Sequence, residues 1–74
     1  MNWDQIKGNW QQVKGQARSK WGKITEDDFA VINGERERLE GKIQERYGMA
    51  REEAHRQVDA WLDSLAENKR RASF

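Results

Sequence analysis

The 74-residue chain contains no cysteine and no proline, and only one histidine. Without cysteine there is no disulfide staple, no thiolate nucleophile and no thiolate metal site. A single histidine leaves little for metal binding or general-base catalysis. The longest wholly apolar run, Phe29 to Ile32, falls far short of the roughly 20 residues that span a bilayer. The first residues, Met1-Asn2-Trp3-Asp4, show neither the basic region nor the apolar stretch of a secretory leader. The expectation is a small, soluble, intracellular protein of one domain.

What is present is charge, at 36% of residues, and four tryptophans, against 35% hydrophobic residues and a net charge of +1. A chain this short buries a modest share of its surface, and this composition lies towards the disordered side. The near-zero net charge and the regular spacing of large apolar residues argue instead for a thin core, to which tryptophan contributes large buried area per side chain.

The spacing is helical. Trp3, Ile6, Trp10, Val13, Ala17 and Trp21 recur every three or four residues and fall within an arc of roughly 80° at about 100° per residue. Gln5, Asn9, Gln12, Gln16 and Ser19 take the opposite side. Asn2 is the expected N-cap and Gly22 the expected residue just past the helix end. Thr25-Glu26-Asp27-Asp28 places a hydroxyl at a second N-cap and three carboxylates in the first turn, where they favour free N–H groups and the positive end of the helix dipole. Phe29, Ile32, Leu39, Ile43 and Tyr47 continue that stripe to Gly48. The turn pair Asn33-Gly34 interrupts it and is expected to divide it into two helices. A last helix starts near Arg51, with Ala54, Val58, Trp61, Leu62 and Leu65 inward. Residues 1–67 form the expected domain, and 68–74 a basic, frayed tail.

The chain also repeats itself at an offset of 26 residues: Trp3 falls on Phe29, Ile6 on Ile32, Val13 on Leu39 and Trp21 on Tyr47. All six glycines pair: Gly8 with Gly34, Gly15 with Gly41, Gly22 with Gly48. The fold class expected is all-α, a small four-helix bundle of two packed helix hairpins with an internal pseudo-duplication. Continued at the same offset, the repeat sets His55 on Phe29, at the margin of the core. Gly15 and Gly41 are neither caps nor breaks. Close backbone approach is the usual reason for such a glycine, which makes their face a candidate seam for a partner helix or a second copy.

The blocks Met1-Asn2-Trp3-Asp4, Lys14-Gly15, Lys20-Trp21-Gly22-Lys23-Ile24-Thr25 and Gly41-Lys42-Ile43-Gln44-Glu45-Arg46-Tyr47-Gly48, in that order, resemble the CsbD-like family of small bacterial stress proteins. Val58-Asp59-Ala60-Trp61 resembles its closing segment. The resemblance implies a helical bundle of four helices and expression under general stress in the bacterial cytoplasm. It implies no reaction, cofactor or catalytic residue.

The residues themselves carry no catalytic pattern. The carboxylates of Glu26-Asp27-Asp28 point about 100° apart on a helix, so they read as helix-start electrostatics. Ser19, Ser64 and Ser73 have no nucleophile-elbow context, and no phosphate-binding glycine loop occurs. A non-enzyme without cofactor is expected. Charge is distributed unevenly. Residues 1–24 carry Lys7, Lys14, Arg18, Lys20 and Lys23 against Asp4 alone, a net of +4. Residues 25–54 carry nine acids and five bases, a net of −4. The basic stretch is either a solvated face, a partner for the acidic middle, or a phosphate-contacting surface. With three tryptophans it also has the composition of a membrane-surface helix, though the core has prior claim on those rings. Three functions follow: a protective or interaction-based stress protein, a nucleic-acid-binding module using the five cations, and an adaptor or self-associating bundle.

Overall fold

The computed structural model describes the backbone of residues 2–71 and the side chains of residues 2–66. It is helical throughout, with no strand among the described residues. Five helices follow in order: α1 (Trp3–Gly8), α2 (Trp10–Lys20), α3 (Glu26–Ile32), α4 (Arg36–Tyr47) and α5 (Arg51–Arg71). α4 packs against both α3 and α5.

Five helices replace the expected four because the first segment breaks at Asn9. This residue leaves the helical region at φ −119°, ψ 28°. Its side-chain amide donates to the carbonyl of Gln5 at 3.1 Å, and its own N–H reaches both Gln5 O and Ile6 O. Such local bonding offers the backbone an alternative to the helical ladder, and the preceding Gly8 resists it least. Asn2 caps α1 as expected, accepting from Gln5 N–H at 3.0 Å.

The break expected at Asn33-Gly34 also occurs. Asn33 stands at φ 45°, ψ 40° and Gly34 at φ 82°, and Glu35 N–H closes the turn on Ile32 O at 2.8 Å. Trp10 and Arg36, which open α2 and α4, lie 26 residues apart. The two breaks nevertheless differ, since only the second uses the left-handed region. Gly48 ends α4 in that region at φ 65°. Gly22 does not: α2 ends on Trp21 at φ −116°, and Gly22 is not among the positive-φ residues.

The core is the set of stripes expected. Ile6, Trp10, Val13, Ala17, Trp21, Phe29, Ile32, Leu39 and Ile43 are buried, as are Ala54, Val58, Trp61, Leu62 and Leu65 of α5. Trp3, Tyr47 and Met49 pack partly buried against them. Ile24, in the link between α2 and α3, is buried too. The aromatic rings join distant segments. Trp21 meets Trp61 edge-on at 5.3 Å between centroids, and Trp10 meets Phe29 at 6.2 Å. The Trp3 indole N–H donates to Gly34 O at 2.9 Å, and that of Trp21 to Gln57 Oε1 at 3.1 Å. Helix α5 runs to Arg71, so the tail expected at 68–74 overlaps its end, and 72–74 lie outside the described residues.

The glycines separate into two kinds. A Cβ on Gly15 or Gly41 meets nothing within 4 Å, so no close approach among the described residues explains them. A Cβ on Gly34 meets Lys7 Cγ at 3.5 Å and Trp10 Cγ at 3.7 Å, on a backbone that L-residues avoid. Gly15→Ala and Gly41→Ala are therefore expected to raise stability by up to about 1 kcal/mol each, by helix propensity. Gly34→Ala is expected to lower it by roughly 1–2 kcal/mol. Urea unfolding followed by tryptophan fluorescence checks all three.

Candidate functional site

The polar features of the molecule are two ionic clusters and a basic segment. The first cluster is built on the start of α3. Thr25 and Asp28 form a reciprocal capping box: Asp28 N–H donates to Thr25 Oγ1, and Thr25 N–H to Asp28 Oδ2, both at 3.1 Å. Two cations from α4 then reach the same carboxylate. Arg46 donates through Nε at 2.8 Å and through its other nitrogen at 3.1 Å, and Lys42 Nζ lies at 3.3 Å. Asp28 is buried, and its lone pairs are spent on these partners. Arg46 above all, then the Thr25 N–H, hold its carboxyl well below the usual carboxylate range, against the opposing effect of burial. The expected helix-start role of Glu26-Asp27-Asp28 is present, and Asp28 also locks α3 to α4.

The second cluster joins α4 to α5. The buried carboxylate of Glu40 accepts from Arg36 Nε at 2.7 Å and from His55 Nδ1 at 3.0 Å. Arg36 also donates to Asp59 Oδ1 at 2.6 Å, which lowers the pKa of Asp59. The other ring nitrogen, Nε2, lies 3.4 Å from Asp59 Oδ2, one turn further along α5. His55 is thus an exposed member of an ion network, not the core-margin residue that the repeat implied. The ring cannot follow Phe29 inward because Glu40 and Arg36 offer it polar partners at the surface. An open groove of about 650 Å³ lies beside it, lined by Glu40, Arg51, Glu52, His55 and Arg56. No hydroxyl or thiol nucleophile is in that lining. Among the described residues, no group of three or more His, Asp or Glu side chains gathers as a metal site would require.

The five cations of the basic segment do not form one free patch. Lys7 bonds Glu35 at 3.0 Å, just ahead of α4, and lowers the pKa of that glutamate. Arg18 bonds Glu26 at the start of α3. Lys20 lies 5.6 Å from the centroid of the Trp21 ring, and Lys23 lies 5.2 Å from that of Tyr47. Lys14 is half-buried on α2. The basic segment is therefore partly neutralised by the acidic middle of the same chain. Gly15 and Gly41 are exposed on α2 and α4. Neither ionic cluster was among the features expected. Their signal was the four-residue spacing of Arg36 with Glu40, Lys42 with Arg46, and His55 with Asp59.

No helix among the described residues is long and apolar enough to cross a membrane. A family model described as CsbD-like matches residues 4–56, which run from the first turn of α1 through α4 and contain both breaks and the Asp28 lock. The chain belongs to the CsbD-like family. Relatives of this CsbD-like chain include the UPF0337 protein ECA0631 of Pectobacterium atrosepticum, 54% identical over 85% of this chain and 91% of that one. The UPF0337 protein YjbJ of Escherichia coli K12 is 49% identical over 82% of this chain and 88% of its own. The UPF0337 protein RPA4217 of Rhodopseudomonas palustris is 51% identical over 88% of this chain and 98% of its own. None of these names states an activity. No solved structure matches.

The ionic locks give the CsbD-like fold a defined acid sensitivity. The carboxyls of Asp28, Glu35 and Asp59 all have pKa values lowered by folding. Their stabilisation is complete above the unfolded carboxylate range, about pH 4, and is lost as pH falls through the folded values. The urea midpoint is expected to hold from neutral pH down to about pH 5 and then fall. Asp28→Asn should lower the midpoint at neutral pH and flatten its decline in acid.

Proposed function

We propose that this protein is a non-enzymatic, general stress-response protein of the bacterial cytoplasm, acting by protection of or contact with other molecules and without a cofactor. Membership of the CsbD-like family supports the stress role. The observation that carries the protective reading is the surface itself. Val31 is the one large hydrophobic side chain exposed among the described residues, and charged groups paired by ion bridges cover much of the rest. Such a surface stays hydrated and offers other copies no large apolar patch on which to aggregate. We read the 26-residue repeat as the duplication of one helical unit, with residues 1–67 acting as one domain.

The competing readings use the same residues differently. Nucleic-acid binding requires Lys7, Lys14, Arg18, Lys20 and Lys23 to act together on phosphates, and the engagement of Lys7 and Arg18 by Glu35 and Glu26 weighs against it. An adaptor or self-associating bundle has the open face at Gly15 and Gly41 in its favour.

Drying or freezing a labile enzyme with the protein discriminates among these. The protective reading expects more activity recovered than with an equal mass of albumin, and equal recovery contradicts it. Mixing with DNA or RNA at low salt is expected to give no shift. A shift that declines steeply with salt and disappears when the five cations become glutamine would favour the nucleic-acid reading instead.

A further inference from the structure

The turn between α3 and α4 joins a reactive dipeptide to a guarded backbone. Asn33-Gly34 is the single Asn-Gly pair of the chain. Asn33 is exposed, and it lines an open groove of about 400 Å³ with Lys7, Gly8, Asn9 and Trp10, so water and hydroxide reach its side-chain amide. Glycine leaves the next backbone nitrogen unshielded, which makes Asn-Gly the asparagine context most open to attack on the side chain by its own backbone. The angles of Asn33 and Gly34, with the bond from Glu35 N–H to Ile32 O, define a type I′ turn, for which Asn-Gly is the preferred pair.

We propose that Asn33 is a self-modification site, converted through a cyclic imide to aspartate and isoaspartate at a rate set by how often this turn opens. The deprotonated Gly34 nitrogen forms a bond to Asn33 Cγ, and the side-chain amide leaves as ammonia. Water then adds to one of the two imide carbonyls. Opening on one side gives aspartate, and opening on the other gives isoaspartate, with the main chain rerouted through Cβ. The sequence consumes one water and releases one ammonia, with no oxidant or reductant. Ring closure requires rotation about ψ of Asn33 away from the 40° of the closed turn.

Three contacts hold the turn closed, and two of them come from the first helical segment. Glu35 N–H bonds Ile32 O at 2.8 Å. The Trp3 indole donates to Gly34 O at 2.9 Å. Trp10 packs over Gly34 closely enough that a Cβ there meets it at 3.7 Å. Docking of α1 and α2 therefore slows the reaction, as closed native structure does for any chemistry that needs local opening. The products in turn oppose docking. Isoaspartate lengthens the backbone and abolishes the I′ geometry, and either product adds a carboxylate at the negative end of α3. The other break is exempt, because Asn9 is followed by Trp10.

The test uses the full chain, incubated at mildly alkaline pH folded, in subdenaturing urea and fully unfolded. Peptide mass mapping and isoaspartate detection give the rate at each asparagine. Modification is expected at Asn33 ahead of Asn2, Asn9 and Asn68, about tenfold or more faster unfolded than folded, and rising with urea below the unfolding transition. Trp3→Phe, which keeps a ring but loses the N–H, is expected to react faster than wild type when folded. The aged product is expected to unfold at lower urea than fresh protein. Equal rates folded and unfolded, no preference for Asn33, or a rate flat in subdenaturing urea would overturn the proposal. The urea series decides the matter even if Trp3→Phe does not fold.

Discussion

Tryptophan rings fasten the first third of this chain to the rest. The segment of α1 and α2 is joined to α3, to the turn that follows it and to α5 through long side chains: Trp3 to the Gly34 carbonyl, Trp10 to Phe29, Trp21 to Trp61 and Gln57. A chain of this length has few residues to spend on a core, so each must bury a large area. An edge-to-face aromatic pair contributes about 0.5–1.5 kcal/mol beyond its buried area. Two of the indole N–H groups add direction, because those of Trp3 and Trp21 each find an acceptor across the fold.

The charged residues complete what the rings begin. Asp28 and Glu40 are buried carboxylates, and each bonds cations or a ring from a neighbouring helix. Asp28 ties α3 to α4, and Glu40, through His55, ties α4 to α5. No buried side-chain nitrogen or oxygen among the described residues lacks a partner. Buried ion pairs of this kind add less to stability than to the choice of one arrangement, which suits a protein whose apolar core is thin.

Much of this was legible in the sequence. The apolar stripes gave the core almost residue by residue, and Asn2, Thr25 and Gly48 marked helix ends because capping chemistry is local. The count of four helices left out the break at Asn9, although Gly8 beside it pairs with Gly34 in the repeat, since Trp3 to Trp21 keeps an unbroken helical period across it. At Asn9 the backbone leaves helical angles, and its N–H is shared between Gln5 O and Ile6 O while its side-chain amide also bonds Gln5 O. The repeat misplaced His55 because position in a repeat says nothing of the acceptor waiting on α4. Gly15 and Gly41 kept their promise only in part: they are free of caps and breaks, yet nothing among the described residues approaches them. Ion pairs between helices depend on which faces meet, and this is why the basic segment looked more available to phosphate than it is.

The central claim is that the tryptophan contacts make the first segment and the remainder one cooperative unit. Native-state hydrogen exchange tests it most directly, by comparing amides of Val13 and Ala17 in α2 with that of Ile43 in α4 as urea is raised. The account predicts that all of them merge into a single opening with the free energy of global unfolding. Exchange of the α2 amides through a separate, lower-energy opening while Ile43 stays protected would contradict it.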